Sequence, residues 1–188
     1  MTPLLASLGE TDRADLATFA GRAEALEREG VLRWQSGHGL LVTTVRARAG
    51  QGLLRRGEVL GLRAVAADGV ADADLVVSLA ALRDALASDG PLTPVPPSHG
   101  SASWVGLAPP RGGWEQHGVI TMPAGEGTSV AGAVAAAAGE WLDEMTSRDA
   151  ASALQALGFL PPWTEGVRLF RRGAWTRMST SAGHVLIR

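Results

Sequence analysis

The stretch from Thr128 to Leu160, TSVAGAVAAAAGEWLDEMTSRDAASALQALGFL, constrains the fold of this chain more than any other. It reads as two consecutive helices, the first made almost entirely of small residues up to Trp141 and the second closed by Gly158. Small side chains over three turns let a helix lie close against a sheet. An apolar helix of that kind must bury itself on another layer, and the segments on either side have the patterning of antiparallel strands. The expected fold class is α+β: an antiparallel sheet with helices packed on one face, arranged as two pseudo-symmetric helix-plus-meander halves.

From the start of the chain, Thr11 is placed as the N-cap of a helix over roughly 12–29. Leu16, Phe19 and Leu26 form its core stripe, and Gly30 is its C′ residue. Val31–Gln35 and Leu40–Arg48 form a hairpin about the SGHG turn at 36–39. Strands follow over about Glu58–Ala66 and Ala73–Val77, and Ser78 caps a short helix, LAALRDALA. The stretch DGPLTPVPPSHGSAS at 89–103 holds four prolines and reads as a rigid connector, although Pro91 and Pro94 also have the spacing of a PxxP ligand. The expectation is one α+β domain over 1–188, with half-domains 1–90 and 103–188 joined by the proline-rich linker 89–102. Trp104–Leu107 and Gly118–Met122 read as short strands. Val167–Arg172, Ala174–Ser179 and His184–Arg188 form a closing meander with turns at Gly173 and Ala182-Gly183.

Charge is segregated along the chain. Residues 1–30 carry three arginines and six acids, 31–66 six and one, 67–160 three and eleven, and 161–188 five and one. The balances of −3, +5, −8 and +4 sum to the net −2. The basic blocks coincide with strands, so a sheet that shared them would present a positive face. All 17 basic side chains are arginine, which excludes lysine Schiff-base chemistry and a lysine-bearing P-loop. The absence of cysteine excludes disulfides, thiolate metal sites and a cysteine nucleophile. The opening MTPLLASLGE lacks a basic flank and an apolar core, and the run Val130–Ala138 is too short to cross a bilayer. The expected location is the cytoplasm, with no membrane partner.

Other candidate motifs carry less. His38, His99, His117 and His184 each adjoin a glycine, and no two have ligand spacing, so neither a metal nor a cofactor is expected. The GEGTS loop lacks a third glycine, and Glu126 would repel a phosphate, so Thr128 or Ser129 as an N-cap is the better account. Glu140, Asp143 and Glu144 read as solvated charges on one helical face.

The most informative pattern is in the closing meander. Trp175, Arg177 and Ser179 alternate onto one face of a strand, as do His184, Leu186 and Arg188 on the next and Arg168, Phe170 and Arg172 on the one before. Arg46 and Arg48 share a face in the first half. Guanidinium groups with aromatic surface among them suit nucleic acid or a phosphorylated ligand. In the plainer alternative, Trp175 and Phe170 pack in the core and the arginines line solvent edges.

The strings PPRGGWE at 109–115, ALGFL at 156–160 and GAWTRMSTSAGHVLIR at 173–188 resemble a family of uncharacterised proteins from high-GC Gram-positive (actinobacterial) species. The resemblance implies a cytoplasmic protein of unknown function and supplies no site residues. The residues themselves support a non-enzymatic binding protein whose arginine-rich sheet face meets an anionic partner, through Trp175, Arg177, His184, Arg188, Arg168, Arg172, Arg46 and Arg48. One alternative is a structural or protein-interaction module in which the same face pairs with an acidic surface, of another protein or of a second copy in a homodimer. The other is a small hydrolase that pairs His184 with Ser179 or Ser181.

Overall fold

Strands whose alternate side chains are buried need a layer on the buried side. The computed structural model, which describes residues 5, 8–88, 93–100, 102–107, 109–122 and 129–188, supplies that layer with helices. Eight antiparallel strands and four helices make up the architecture, which is the α+β class expected from the sequence. The chain divides into two compact units, the first Met1–Arg46 with Leu62–Leu107 and the second Ala47–Gly61 with Ala108–Arg188.

The first unit contains α1 (Glu10–Leu26), β1 (Val31–Gly37), most of β2 (Leu40–Arg48) and of β3 (Val59–Ala66), β4 (Ala73–Ser78) and α2 (Leu79–Ala87). Its strands run in the order β4-β1-β2-β3. The β1–β2 loop is His38-Gly39, both at positive φ (54° and 74°), the twist-matched two-residue hairpin turn. Leu16, Phe19, Ala20 and Ala23 of α1 and Leu79 and Leu82 of α2 are buried, together with Leu32, Trp34 and Val77.

Three details differ from expectation. The N-cap of α1 is Gly9, without a side-chain cap, and Thr11 lies inside the helix. Leu26 is 41% exposed, because the chain leaves the helix at Glu27 before another turn can bring that position over the core. Trp104–Leu107 forms successive turns instead of a strand, closed by Val105 N–H to Ala102 O and Leu107 N–H to Trp104 O, with the Trp104 ring buried. Residues 93–100 of the proline-rich stretch lie within this unit. Leu5 N–H donates to Thr93 O at 2.9 Å, and Val95 is buried.

The second unit contains β5 (Glu115–Thr121), α3 (Val130–Ala138), α4 (Glu144–Ala156), β6 (Gly166–Arg172), β7 (Trp175–Ser179) and β8 (His184–Ile187), with strand order β8-β7-β6-β5. These strand orders do not bear out the expected pseudo-symmetry. The alanine helix begins at the Ser129 N-cap, whose hydroxyl accepts from Gly132 N, and stops at Ala138. Asp143 caps the next helix by accepting from Thr146 N at 3.0 Å, so Glu140, Asp143 and Glu144 share no continuous helical face. The other GEGTS residues, 125–128, fall outside the described residues.

The helix that carries most packing is α4, not the alanine helix. Ala150, Ala151, Ala153 and Leu154, continued by Leu157 and Phe159, are buried, whereas α3 buries Val134 and Ala138. A helix of methyl groups has little apolar area to remove from water, so the leucines and Phe159 decide which helix anchors.

Phe159 is fully buried against the β7–β8 turn, where a Cβ on Gly183 would fall 2.6 Å from its Cζ. Gly183→Ala should therefore force this ring and turn apart and destabilise the protein by about 1–3 kcal/mol, as for other overpacked sites. A urea unfolding midpoint equal to that of the unsubstituted protein would contradict that packing.

Candidate anion-binding site

Strands β6, β7 and β8 pair in a register that lines up two ranks of side chains. Arg168, Ser179 and His184 oppose one another across the three strands, and Phe170, Arg177 and Leu186 form the next rank. Cross-strand partners point to the same face. The opposite face of these strands holds the apolar side chains Val167, Leu169, Met178 and Val185. On the first face Trp175, Ser179 and Leu186 are buried, Arg177 and His184 are half-buried, and Arg168 and Arg172 are exposed.

Arg177 is the best-held cation. Its Cζ lies 4.4 Å from the Phe170 ring centroid and 4.7 Å from that of Trp114. Trp114 is itself fixed by its indole N–H, which donates to Pro110 O at 3.0 Å. Burial, and then the charge of Arg168, lowers the Arg177 pKa from its ordinary value. Arg188 lies 5.8 Å from the Trp175 centroid. His184 sits in the same field: burial first, then Arg177 and Arg168, push its pKa down to about 4, so the imidazole is neutral at pH 7. Arg177 Nε, Ser179 Oγ and His184 Nδ1 are buried with no hydrogen-bond partner among the described residues.

Compensation of charge separates this face from the other basic block. Of the six arginines in 31–66, five reach a carboxylate: Arg33 with Asp74, Arg46 with Glu27, Arg48 with Asp149, Arg55 with Glu58 and Arg63 with Asp15. Of the five in 161–188, none does so among the described residues. Arg46 and Arg48, placed with the candidate residues from the sequence, are thus engaged elsewhere, whereas Arg168, Arg172, Arg177, His184 and Arg188 lie on β6–β8 with Trp175 among them. Trp114 and Ser179 were missing from that residue set. Trp114 comes from a distant turn-rich segment, and its only signal is its place just before β5, the neighbour of β6.

A separate cleft of about 1060 Å³ in the same unit is lined by Arg48, Arg56, Trp141, Asp143, Asp149 and Arg171, among others. Its charges are partly answered internally, by Asp149 on Arg48 and by Trp141 O, which accepts from Arg171 at 3.3 Å. Among the described residues no group of three His, Asp or Glu side chains could hold a metal ion. Nor is any helix among them long and apolar enough to cross a membrane.

Residues 1–106 match the family model of a domain of unknown function, DUF8010, over more than half the chain. The chain belongs to the DUF8010 family. In this DUF8010 protein, residues 142–188 match a second domain of unknown function, DUF8185, which includes α4 and β6–β8. No curated protein and no solved structure matches the DUF8010 chain.

Because folding lowers the His184 pKa from 6.5 to about 4, the unfolded chain binds more protons between those values. The stabilising effect of the neutral imidazole is complete above pH 6.5 and is lost as pH falls toward 4. Between pH 7 and 5 this amounts to roughly 1–2 kcal/mol. Urea titrations at pH 7, 6 and 5 should show that loss in the unsubstituted protein and a shallower one in His184→Gln. Parallel pH profiles would show that His184 titrates normally.

Proposed function

We propose that the protein is a non-enzymatic binding protein whose β6–β8 face engages an anionic partner, nucleic acid or a phosphorylated ligand. The observation that supports this reading is that the five arginines in 161–188 have no carboxylate partner among the described residues and that four of them, Arg168, Arg172, Arg177 and Arg188, alternate onto one face, whereas five of the six in 31–66 are paired. Unpaired cations on one face attract a mobile anion and gain affinity by releasing its counterions. Trp175 is buried and has the Arg188 guanidinium beside its ring, so phosphate contact, more than base stacking, is the mode this face favours.

A hydrolytic role gains little support. Ser179 and His184 are register partners, but among the described residues neither Ser179 Oγ nor His184 Nδ1 has a hydrogen-bond partner, and the charges acting on His184 are those of Arg177 and Arg168, not of a carboxylate. A protein-interaction role is the second reading, supported by the net −8 of segment 67–160, which would let a second copy supply the acidic surface. A light-scattering mass of twice the monomer value would favour it.

Binding of short labelled single- and double-stranded nucleic acids, titrated from about 50 to 200 mM salt, tests the main reading. Affinity should fall steeply with salt. Arg168→Gln and Arg172→Gln should each reduce the slope by about one, and the ion-paired Arg46→Gln should leave it unchanged. An absence of binding at the lowest salt would retire nucleic acid as the partner.

A further inference from the structure

Arg177 Nε, Ser179 Oγ and His184 Nδ1 are buried and without a partner among the described residues, and they belong to neighbouring positions on one face. Ser179 stands between Arg168 on β6 and His184 on β8, while Arg177 lies two residues before it on β7. Opposed side chains leave their strands about 5 Å apart, and side chains two residues along a strand about 7 Å apart. An anion that accepts hydrogen bonds of about 2.8 Å at several corners fits within those spacings. Buried polar groups left unpaired oppose folding, and native proteins seldom gather them at one point without a purpose.

We propose that Arg177, Ser179 and His184, with Arg168 at the mouth, form a subsite for one tetrahedral oxyanion, the phosphoryl group of a phosphate or phosphomonoester. This rests on the anion-binding reading above and narrows it. The Arg177 guanidinium lies within cation–π distance of Trp114 and Phe170, contacts that supply no hydrogen-bond acceptor, and its Nε–H has no acceptor among the described residues. Phe170 and Trp114 each have the Arg177 guanidinium against the ring, and Trp175 is buried with Arg188 beside it, so these rings are already engaged by a cation. The groups also do not lie along one line. Arg168, Ser179 and His184 form a rank across the strands, and Arg177 stands off it. A tetrahedral anion meets such a set from several corners, whereas a planar carboxylate meets it along one edge. Serine supplies a hydroxyl donor, an imidazole protonated on Nδ1 supplies another, and the guanidinium groups supply the compensating charge. Bound phosphate would also offset the repulsion that His184 experiences from Arg177 and Arg168.

The test uses the full chain at constant ionic strength, with inorganic phosphate, phenyl phosphate and acetate as probes. Calorimetry measures affinity, and proton NMR follows the His184 ring through a pH titration. Phosphate and phenyl phosphate should bind at least tenfold more tightly than acetate. Phosphate binding without phenyl phosphate binding would identify the free ion as the source; both binding would identify a phosphomonoester as an acceptable one. Arg168→Gln and Arg177→Gln should each weaken phosphate by about tenfold or more, Ser179→Ala by several-fold, and Arg48→Gln not at all. Should Arg177→Gln fail to fold, Ser179→Ala and Arg168→Gln carry the test. Saturating phosphate should raise the His184 pKa, a shift that a merely structural histidine would not show. Unchanged phosphate affinity in both Ser179→Ala and Arg168→Gln, or a His184 pKa unmoved by phosphate, overturns the subsite. Absent phosphate binding with salt-sensitive nucleic-acid binding intact overturns the subsite and leaves the anion-binding face standing. Loss of both removes both.

Discussion

A strand covered on both sides has to account for every polar group it carries, and β7 is such a strand. Met178 enters the apolar layer on one side, and on the other Trp175 and Ser179 are also buried. Sheets of this kind usually turn apolar side chains inward on both faces or leave one face wet. Here the second face combines a guanidinium, a hydroxyl and an imidazole with tryptophan, phenylalanine and leucine. Arg177 is accommodated because two rings lie within cation–π distance of its guanidinium, which recovers part of the hydration that burial removes. The hydrogen-bonding edges gain no such compensation, and they set the character of the site.

The same accounting explains why one basic block became structure and the other remained available. Five of the six arginines of 31–66 stand beside acids on α1 and at its end, on β4, on α4 and just before β3. Glu58 is fully buried: its Oε2 accepts Gly50 N–H at 2.7 Å and faces Arg55 at 3.4 Å, while its Oε1 has no hydrogen-bond partner among the described residues. Next to it, Gly57 N–H donates to Arg188 O at 2.7 Å and Arg188 N–H to Glu58 O at 3.1 Å. Charge that is answered inside the fold contributes to shape and little to recognition. The arginines of β6–β8 have no such carboxylate among the described residues.

Much of the local structure was legible in the sequence. The His38-Gly39 turn, the Ser78 cap, the helix Leu79–Ala87 and the closing meander follow from rules that act over a few residues, namely turn chemistry, capping and alternation. Their one-face arrangement of Arg168, Arg177 and His184 was legible too, because a period of two fixes the side of a strand once its ends are known. The errors came where packing at a distance decides. Leu26 has the right spacing for the core stripe but lies where α1 ends. Trp104 has strand-like neighbours but anchors a run of turns. The alanine run has the composition of a spine, yet the burial of Leu154, Leu157 and Phe159 gives that place to α4.

For the candidate site the division is sharper. The sequence by itself determined that the chain is α+β, that its cations are all arginine, and that the last three strands gather them on alternate positions, since composition and periodicity are properties of the chain. Only the tertiary structure decided that Trp114 lies against Arg177, that Arg46 and Arg48 are paired with Glu27 and Asp149, and that Ser179 Oγ and His184 Nδ1 stand on opposed residues without a hydrogen-bond partner among the described residues. Those are contacts between residues far apart in sequence or across strand pairs, and whether a charge is cancelled depends on distance in space, which local patterning does not encode.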